Sequence, residues 1–151
     1  MFPHVILFLG ALGALNSNRP DVVAKNVPQN AQQLEQSVGD ISGYYICKGV
    51  EIGGKQYNGI TVIQRKSDVY VVQWVIGAGS NFTGIGIRQG DSFAASWALP
   101  AERGMVRGVN MYRIETSSAG PRLVGRWASM PGPGALQSET LTFLRPLEEE
   151  E

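Results

Sequence analysis

The chain is poor in the side chains that most catalytic and metal sites require. Its 151 residues include one histidine, His4, and one cysteine, Cys47. His4 precedes an apolar N-terminal run of export-signal type, so the mature domain is expected to have no imidazole for acid–base catalysis or zinc binding. A Ser-His-Asp or Cys-His catalytic set is then excluded. We predict a protein that is not an enzyme, with no metal site and no cofactor.

The single cysteine also excludes an internal disulfide. Cys47 stands in a segment of alternating side chains, where its neighbour Lys48 points to the opposite face of the strand. A reactive thiol needs a base or a positive charge beside it. We therefore expect Cys47 to be a small buried apolar side chain.

Long hydrophobic runs are missing as well. The longest, Val5 to Leu15, has the length of a signal-peptide core and is too short to cross a bilayer. We predict a signal peptide at 1–16, a linker or short helix at 17–39 with its helical turns at Asn30–Val38, a β-domain at 40–146 and an acidic tail at 147–151. The expected location is secreted or periplasmic, with no membrane span in the mature form.

The charges do not indicate a nucleic-acid partner. Basic and acidic residues number 13 each, and residues 40–146 carry eleven Lys or Arg against seven Asp or Glu. The surplus is small and scattered, whereas nucleic-acid binding needs a concentrated basic face.

Short alternating segments separated by turn residues fill the rest of the chain. They recur about every ten residues, and no connection is long enough for a crossover helix, so each neighbouring pair should be antiparallel. We predict an all-β fold, an eight-stranded antiparallel up-and-down β-barrel (a meander). The predicted strands are Gly43 to Lys48, Gln56 to Gln64, Val69 to Ile76, Phe82 to Arg88, Ser92 to Ala98, Val106 to Glu115, Arg122 to Ser129 and Glu139 to Leu144.

Glycine and aromatic residues recur together on these strands, as in Gly43-Tyr44-Tyr45 and Gly125-Arg126-Trp127. Glycine inside a strand usually marks sharp coiling or the close approach of another group, as in a small barrel. Gly84-Ile85-Gly86 lies within a strand and another strand follows, so it is not a dinucleotide-binding loop.

Alternation places most large aromatic residues on one face, which we assign to the barrel interior. They predict either a packed aromatic core or a pocket for a small hydrophobic ligand, and both interpretations stay open. The candidate ligand-binding residues are Tyr45, Tyr57, Trp74, Trp97, Asn110, Tyr112 and Trp127. The carboxylates that we considered, Glu51, Asp68, Asp91, Glu102 and Glu115, fall in or beside turns and are expected to be solvated.

The opposite face carries Ile60, Val62, Ile85 and Ile87, more apolar surface than a monomer needs. This surface predicts a protein partner or a homo-oligomer as the alternative to a ligand-binding barrel. In that alternative the protein is a structural domain, or an inhibitor-like interaction domain, with a filled core. A carboxylate-based enzyme is the third alternative.

From Gly43 to Arg145 the chain resembles the calycin group of barrels, which includes avidins and lipocalins, through Gly43-x-Tyr45, Ser96-Trp97 and Gly125-Arg126-Trp127. It looks still more like exported bacterial eight-stranded barrels of unassigned function, which share a Gly-x-Tyr-x-Cys-x-Gly start and a Gly-x-Gly middle strand. These likenesses imply the barrel fold. Gly49 to Gly54 has no Ser or Asn where avidins hold biotin, so they do not imply that ligand.

A second likeness is to periplasmic lysozyme inhibitors, which are also eight-stranded barrels. It rests on Tyr45-Ile46-Cys47 and on Gly53 to Tyr57. In those proteins the opening cysteine pairs with a later one, and this chain has no second cysteine.

Export predicts a mature protein that starts between Gly13 and Arg19. The intact mass of secreted material measures that start directly. A secreted species that keeps Met1, or a protein found only in the cytoplasm, contradicts the signal-peptide prediction.

Overall fold

A computed structural model describes residues 39–148 and shows eight β-strands in this part of the chain. Their bounds are β1 Gly43–Val50, β2 Gln56–Lys66, β3 Val69–Ile76, β4 Ser80–Gln89, β5 Ser92–Ala101, β6 Gly104–Ser117, β7 Gly120–Met130 and β8 Gln137–Arg145. All eight predicted strands are confirmed. The predicted signal peptide, the linker up to residue 38 and the tail from residue 149 lie outside the described residues. Within 39–148, no helix is long and apolar enough to cross a membrane.

The strands form one closed sheet in which each strand pairs with its neighbours in sequence and β8 pairs with β1. Every pair is antiparallel, and residues at the middle of β1 face both neighbours: Cys47 lies opposite Gly59 of β2 and Leu141 of β8. The predicted up-and-down barrel is therefore confirmed. Closure leaves no unpaired sheet edge, which is why eight short strands make a stable unit.

Seven strands are longer than the sequence pattern predicts, because pairing continues through residues that resemble turns. The clearest case is β5, which was expected to end at Ala98 before a loop containing Pro100. Pro100 instead lies opposite Met105 of β6, and the hairpin closes at Ala101 and Gly104. Proline is tolerated near the end of a strand if no partner needs its missing N–H.

One end of the barrel is closed by a packed apolar layer. Ile41, just before β1, is fully buried, and its carbonyl oxygen accepts a hydrogen bond of 2.6 Å from the Tyr45 hydroxyl. Tyr45 contacts Phe143 edge to face at 5.6 Å between ring centroids. The buried aliphatic side chains of this layer are Ile63, Ile114 and Leu123. The chain entering β1 thus seals this end.

Glycines on the strands make room for rings from the neighbouring strand. Trp97 of β5 lies opposite Gly108 of β6, and Tyr57 of β2 lies opposite Gly49 of β1. A Cβ atom added to either glycine would clash with the facing ring. The predicted close approach at strand glycines is confirmed, and it has a simple cause: each ring lies against backbone that has no side chain.

The outer face carries the expected apolar side chains. Ile85 and Ile87 of β4 are 54% and 62% exposed, and Val109 and Met111 of β6 are similarly exposed beside them, across the small side chains of β5. Association through this surface stays a prediction.

We expect Gly108→Ala to destabilise the barrel by about 1–3 kcal/mol, the usual cost of overpacking a well-filled site. The added methyl group must displace the Trp97 indole from the β6 backbone. Gly39→Ala is the matched control, because a Cβ at Gly39 meets nothing within 4 Å. Urea unfolding of both variants measures the difference. Equal midpoints would show that the ring does not rest on this glycine.

Candidate functional site

The opposite end of the barrel is open and contains a cavity of about 150 Å³. Strands from all around the barrel contribute to its wall, together with Glu51 in the loop that follows β1. The lining residues are Glu51, Tyr57, Trp74, Ile76, Ser80, Phe82, Trp97, Asn110, Trp127 and Glu139.

Aromatic rings form most of the wall, and they support one another. Phe82 and Trp97 meet edge to face at 5.1 Å between centroids, and Trp97 and Trp127 do so at 6.3 Å. Such pairs are stabilised beyond their buried area by the attraction between ring edges and ring faces. Trp97 is further fixed because its indole N–H donates to Asn110 Oδ1 at 2.8 Å. The wall is therefore held in place by its own contacts.

Glu139, on β8, is the floor of the cavity and is 4% exposed. Its Oε2 accepts a hydrogen bond from the Tyr57 hydroxyl at 2.5 Å. Its Oε1 accepts from the indole N–H of Trp74 at 3.3 Å, from Asn110 Nδ2 at 3.1 Å and from the Tyr112 hydroxyl. No ion pair holds this carboxylate within residues 39–148. Neutral donors from β2, β3 and β6 replace the lost water instead.

Asn110 is the centre of this network. Its oxygen accepts from Trp97, and its Nδ2 donates to Glu139 Oε1 and, at 2.6 Å, to the Tyr112 hydroxyl. An amide that donates and accepts at once links the aromatic wall to the carboxylate floor. The polar groups are thereby held in place before a ligand binds.

Burial raises the pKa of the Tyr57 and Tyr112 hydroxyls, and the nearby Glu139 charge raises both further. The pKa of the Cys47 thiol is raised for the same two reasons, burial first and Glu139 second. A group with a raised pKa keeps its proton, so the two tyrosines stay hydrogen-bond donors at neutral pH and the thiol is a poor nucleophile. The expectation that Cys47 is a buried side chain is confirmed.

Two buried polar atoms in the described part of the chain have no hydrogen-bond partner, Thr61 Oγ1 and Trp127 Nε1. Trp127 lines the cavity. Its N–H lies near the Tyr57 hydroxyl and acts to lower the pKa of that group, a smaller effect than the rise caused by burial and Glu139. The two groups do not meet hydrogen-bond geometry. Leaving a buried donor unpaired is unfavourable. An acceptor on a bound molecule would remove that cost at Trp127.

Five of the seven residues predicted from the sequence line the cavity: Tyr57, Trp74, Trp97, Asn110 and Trp127. Tyr45 does not, because its hydroxyl faces Ile41 at the closed end. Tyr112 is buried beneath the floor, where it supports Glu139. The aromatic face thus forms a packed core at the closed end and lines a cavity at the open end, and ligand binding in that cavity stays a prediction.

The sequence reasoning missed Glu139. The carboxylates weighed as candidates all stood in or beside turns, but Glu139 lies on a strand, in the same inward row as Leu141 and Phe143. Extending the alternation to the eighth strand would have revealed it. Phe82, Ile76 and Ser80 were also missed, and Glu51, expected to be solvated, is exposed at the mouth and contributes to the lining.

No family model matches the chain, and no curated protein matches it. Among solved structures, the barrel is similar to a redesigned β-barrel, mFAP1, bound to DFHBI. The two are 19% identical with a TM-score of 0.47, and the match covers 76% of this chain and 98% of that one. The function of the cavity therefore rests on its own side chains.

The raised pKa values predict a barrel that is destabilised by alkali. Tyr45, Tyr112 and Cys47 hold their protons in the fold, where burial is the largest cause in each case. In the unfolded chain they ionise near their ordinary values, about 10 for Tyr and about 8.5 for Cys. Stability is therefore full below about pH 8.5 and is lost as the pH rises above it, by up to about 1.4 kcal/mol per pH unit for each group.

Denaturant unfolding at a series of alkaline pH values measures this loss, and ultraviolet absorbance of tyrosinate shows when the tyrosines ionise. Tyr45 and Tyr112 should ionise only as the barrel unfolds. A constant unfolding midpoint between about pH 8 and pH 11 would contradict the burial of these groups.

Proposed function

We propose that the protein is a binding barrel that takes up a small molecule at its open end. The observation that carries the proposal is the cavity itself, an aromatic-lined space of about 150 Å³ with hydrogen-bonding groups on its floor. An engineered apolar cavity of about that size holds a benzene molecule. The fitting ligand is therefore one ring, or a molecule or part of a molecule of that size.

The polar groups on the floor of the cavity would hold a ligand in one orientation. Binding sites combine apolar walls with a few fixed polar groups, and here Glu139, Tyr57 and the unpaired N–H of Trp127 provide them. A ring is held by the aromatic wall, and its polar substituent is held at the floor. The proposed ligand is thus amphipathic, whereas the sequence alone led us to expect a hydrophobic ligand.

We propose binding rather than catalysis for this cavity. The hydroxyls of Tyr57 and Tyr112 have raised pKa values and hold their protons, and the Cys47 thiol is equally unreactive. The Glu139 carboxylate is engaged by donors on both oxygens, which suits recognition better than proton transfer. Export of the protein belongs to the same proposal, and the intact mass of the secreted form tests it.

Filling the cavity tests the function. Ser80 is exposed at the mouth and belongs to the inward row of β4, next to Phe82. Ser80→Phe should place a ring where the ligand ring would lie, and it should abolish binding of single-ring probes. Its effect on stability should stay within about 0.5 kcal/mol, as for most surface substitutions.

Asn81→Phe is the matched control, because Asn81 is exposed on the opposite face of the same strand. Benzylamine, benzyl alcohol and benzoate are the probes, followed by ligand-observed NMR and tryptophan emission, since all three tryptophans line the cavity. At least one probe should bind the natural protein and the control but not Ser80→Phe. Binding of none, or equal binding to both variants, would refute the proposed function.

A further inference from the structure

The charges of the cavity have one sign. Two carboxylates line it, Glu51 at the mouth and Glu139 at the floor, and no Lys, Arg or His among residues 39–148 does so. Low-dielectric walls concentrate the field of such groups in a cleft. The site therefore favours a positive charge and disfavours a negative one.

The hydrogen bonds at the floor leave one charged acceptor position open. Each carboxylate oxygen has two lone pairs. Glu139 Oε1 already accepts from Trp74, Asn110 and Tyr112, whereas Oε2 accepts from Tyr57, and the Cys47 thiol is a weak further donor to the carboxylate. Both bonds donated by Asn110 Nδ2 go to protein atoms, and its Oδ1, which accepts from Trp97, keeps one lone pair but carries no charge. Oε2 is thus the charged acceptor with capacity left for a donor on a ligand.

The aromatic wall suits the same kind of ligand. Indole, phenol and phenyl faces attract cations through the ring quadrupole, and the attraction is stronger where water is excluded. Five such residues line the cavity: Tyr57, Trp74, Phe82, Trp97 and Trp127. A wall of rings above a carboxylate stabilises an organic cation from all sides, and it accepts a neutral ring of the same shape less well.

We propose that the ligand is a small organic amine of about one ring in size, bound as its ammonium ion with an N–H directed at Glu139 Oε2. The inference rests on the proposed function, and it adds the chemical class of the ligand. The ring or alkyl part lies among the aromatic side chains, and Glu51 adds attraction at the mouth. An anion of the same size is excluded by the two carboxylates.

Three probes of nearly the same shape test the charge: benzylamine as the cation, benzyl alcohol as the neutral analogue and benzoate as the anion. Calorimetric titration near neutral pH gives a Kd for each. We expect benzylamine to bind about tenfold tighter than benzyl alcohol or more, because a hydrogen bond between ionised groups is roughly twice as strong as a neutral one. Benzoate should bind weakest.

Two variants locate the preference. Glu139→Gln keeps the shape and one oxygen of the floor but removes its charge, and it should reduce the benzylamine preference to about threefold or less, with the ion pair replaced by an ordinary hydrogen bond. Glu51 is exposed and lies outside the buried network, so Glu51→Gln can test the inference even if Glu139→Gln does not fold. Glu51→Gln should lower benzylamine affinity by a smaller factor than Glu139→Gln. Glu102→Gln, in the loop after β5 at the same end but outside the lining, is the control and should change nothing.

The outcomes separate the two proposals. If benzyl alcohol or benzoate binds as tightly as benzylamine, and Ser80→Phe still abolishes it, the binding function stands and the amine preference is wrong. If the preference persists undiminished in both Glu139→Gln and Glu51→Gln, the carboxylates are not its source and the inference fails. If no probe binds, the proposed function fails first and the inference with it.

Discussion

A carboxylate in the interior, without a cation to balance it, is the constraint on which the open half of this barrel depends. Removing Glu139 from water is costly unless its oxygens are hydrogen-bonded. The donors come from three other strands, with Tyr57 on β2, Trp74 on β3, and Asn110 and Tyr112 on β6. These strands lie on different sides of the barrel, so the hydrogen bonds of one acidic side chain link its walls.

The two ends of the barrel are stabilised by different means. At the closed end, Ile41 and Tyr45 are fully buried and Phe143 packs against Tyr45, so burial of apolar surface dominates. At the open end, the rings of Trp97 and Trp127 support each other around a space, and the polar floor sets their positions. The apolar layer at the closed end stabilises the fold, while the open end keeps an unfilled volume and an unpaired donor.

The fold could be predicted from local patterns, and most of the site could not. Alternation and turn residues are local, so they revealed all eight strands and the inward rows that contain Trp74, Trp97 and Trp127. Whether such rings fill a barrel or line a cavity depends on the total volume contributed by every strand, including the space left by Gly49 and Gly108. No single segment contains that information.

Local sequence patterns also fail to reveal the polar network around Glu139. Its inward position follows from the row that it shares with Leu141, but its partners are distant in the chain, with Tyr57 82 residues away and Trp74 65 residues away. The acid is stable inside only because closure brings those donors to it. Since β8 follows the other seven strands of residues 39–148 in the chain and pairs with β1, the site is absent until β8 has been synthesised. A ligand that needs Glu139 binds only the closed barrel, and by mass action it shifts the equilibrium toward closure.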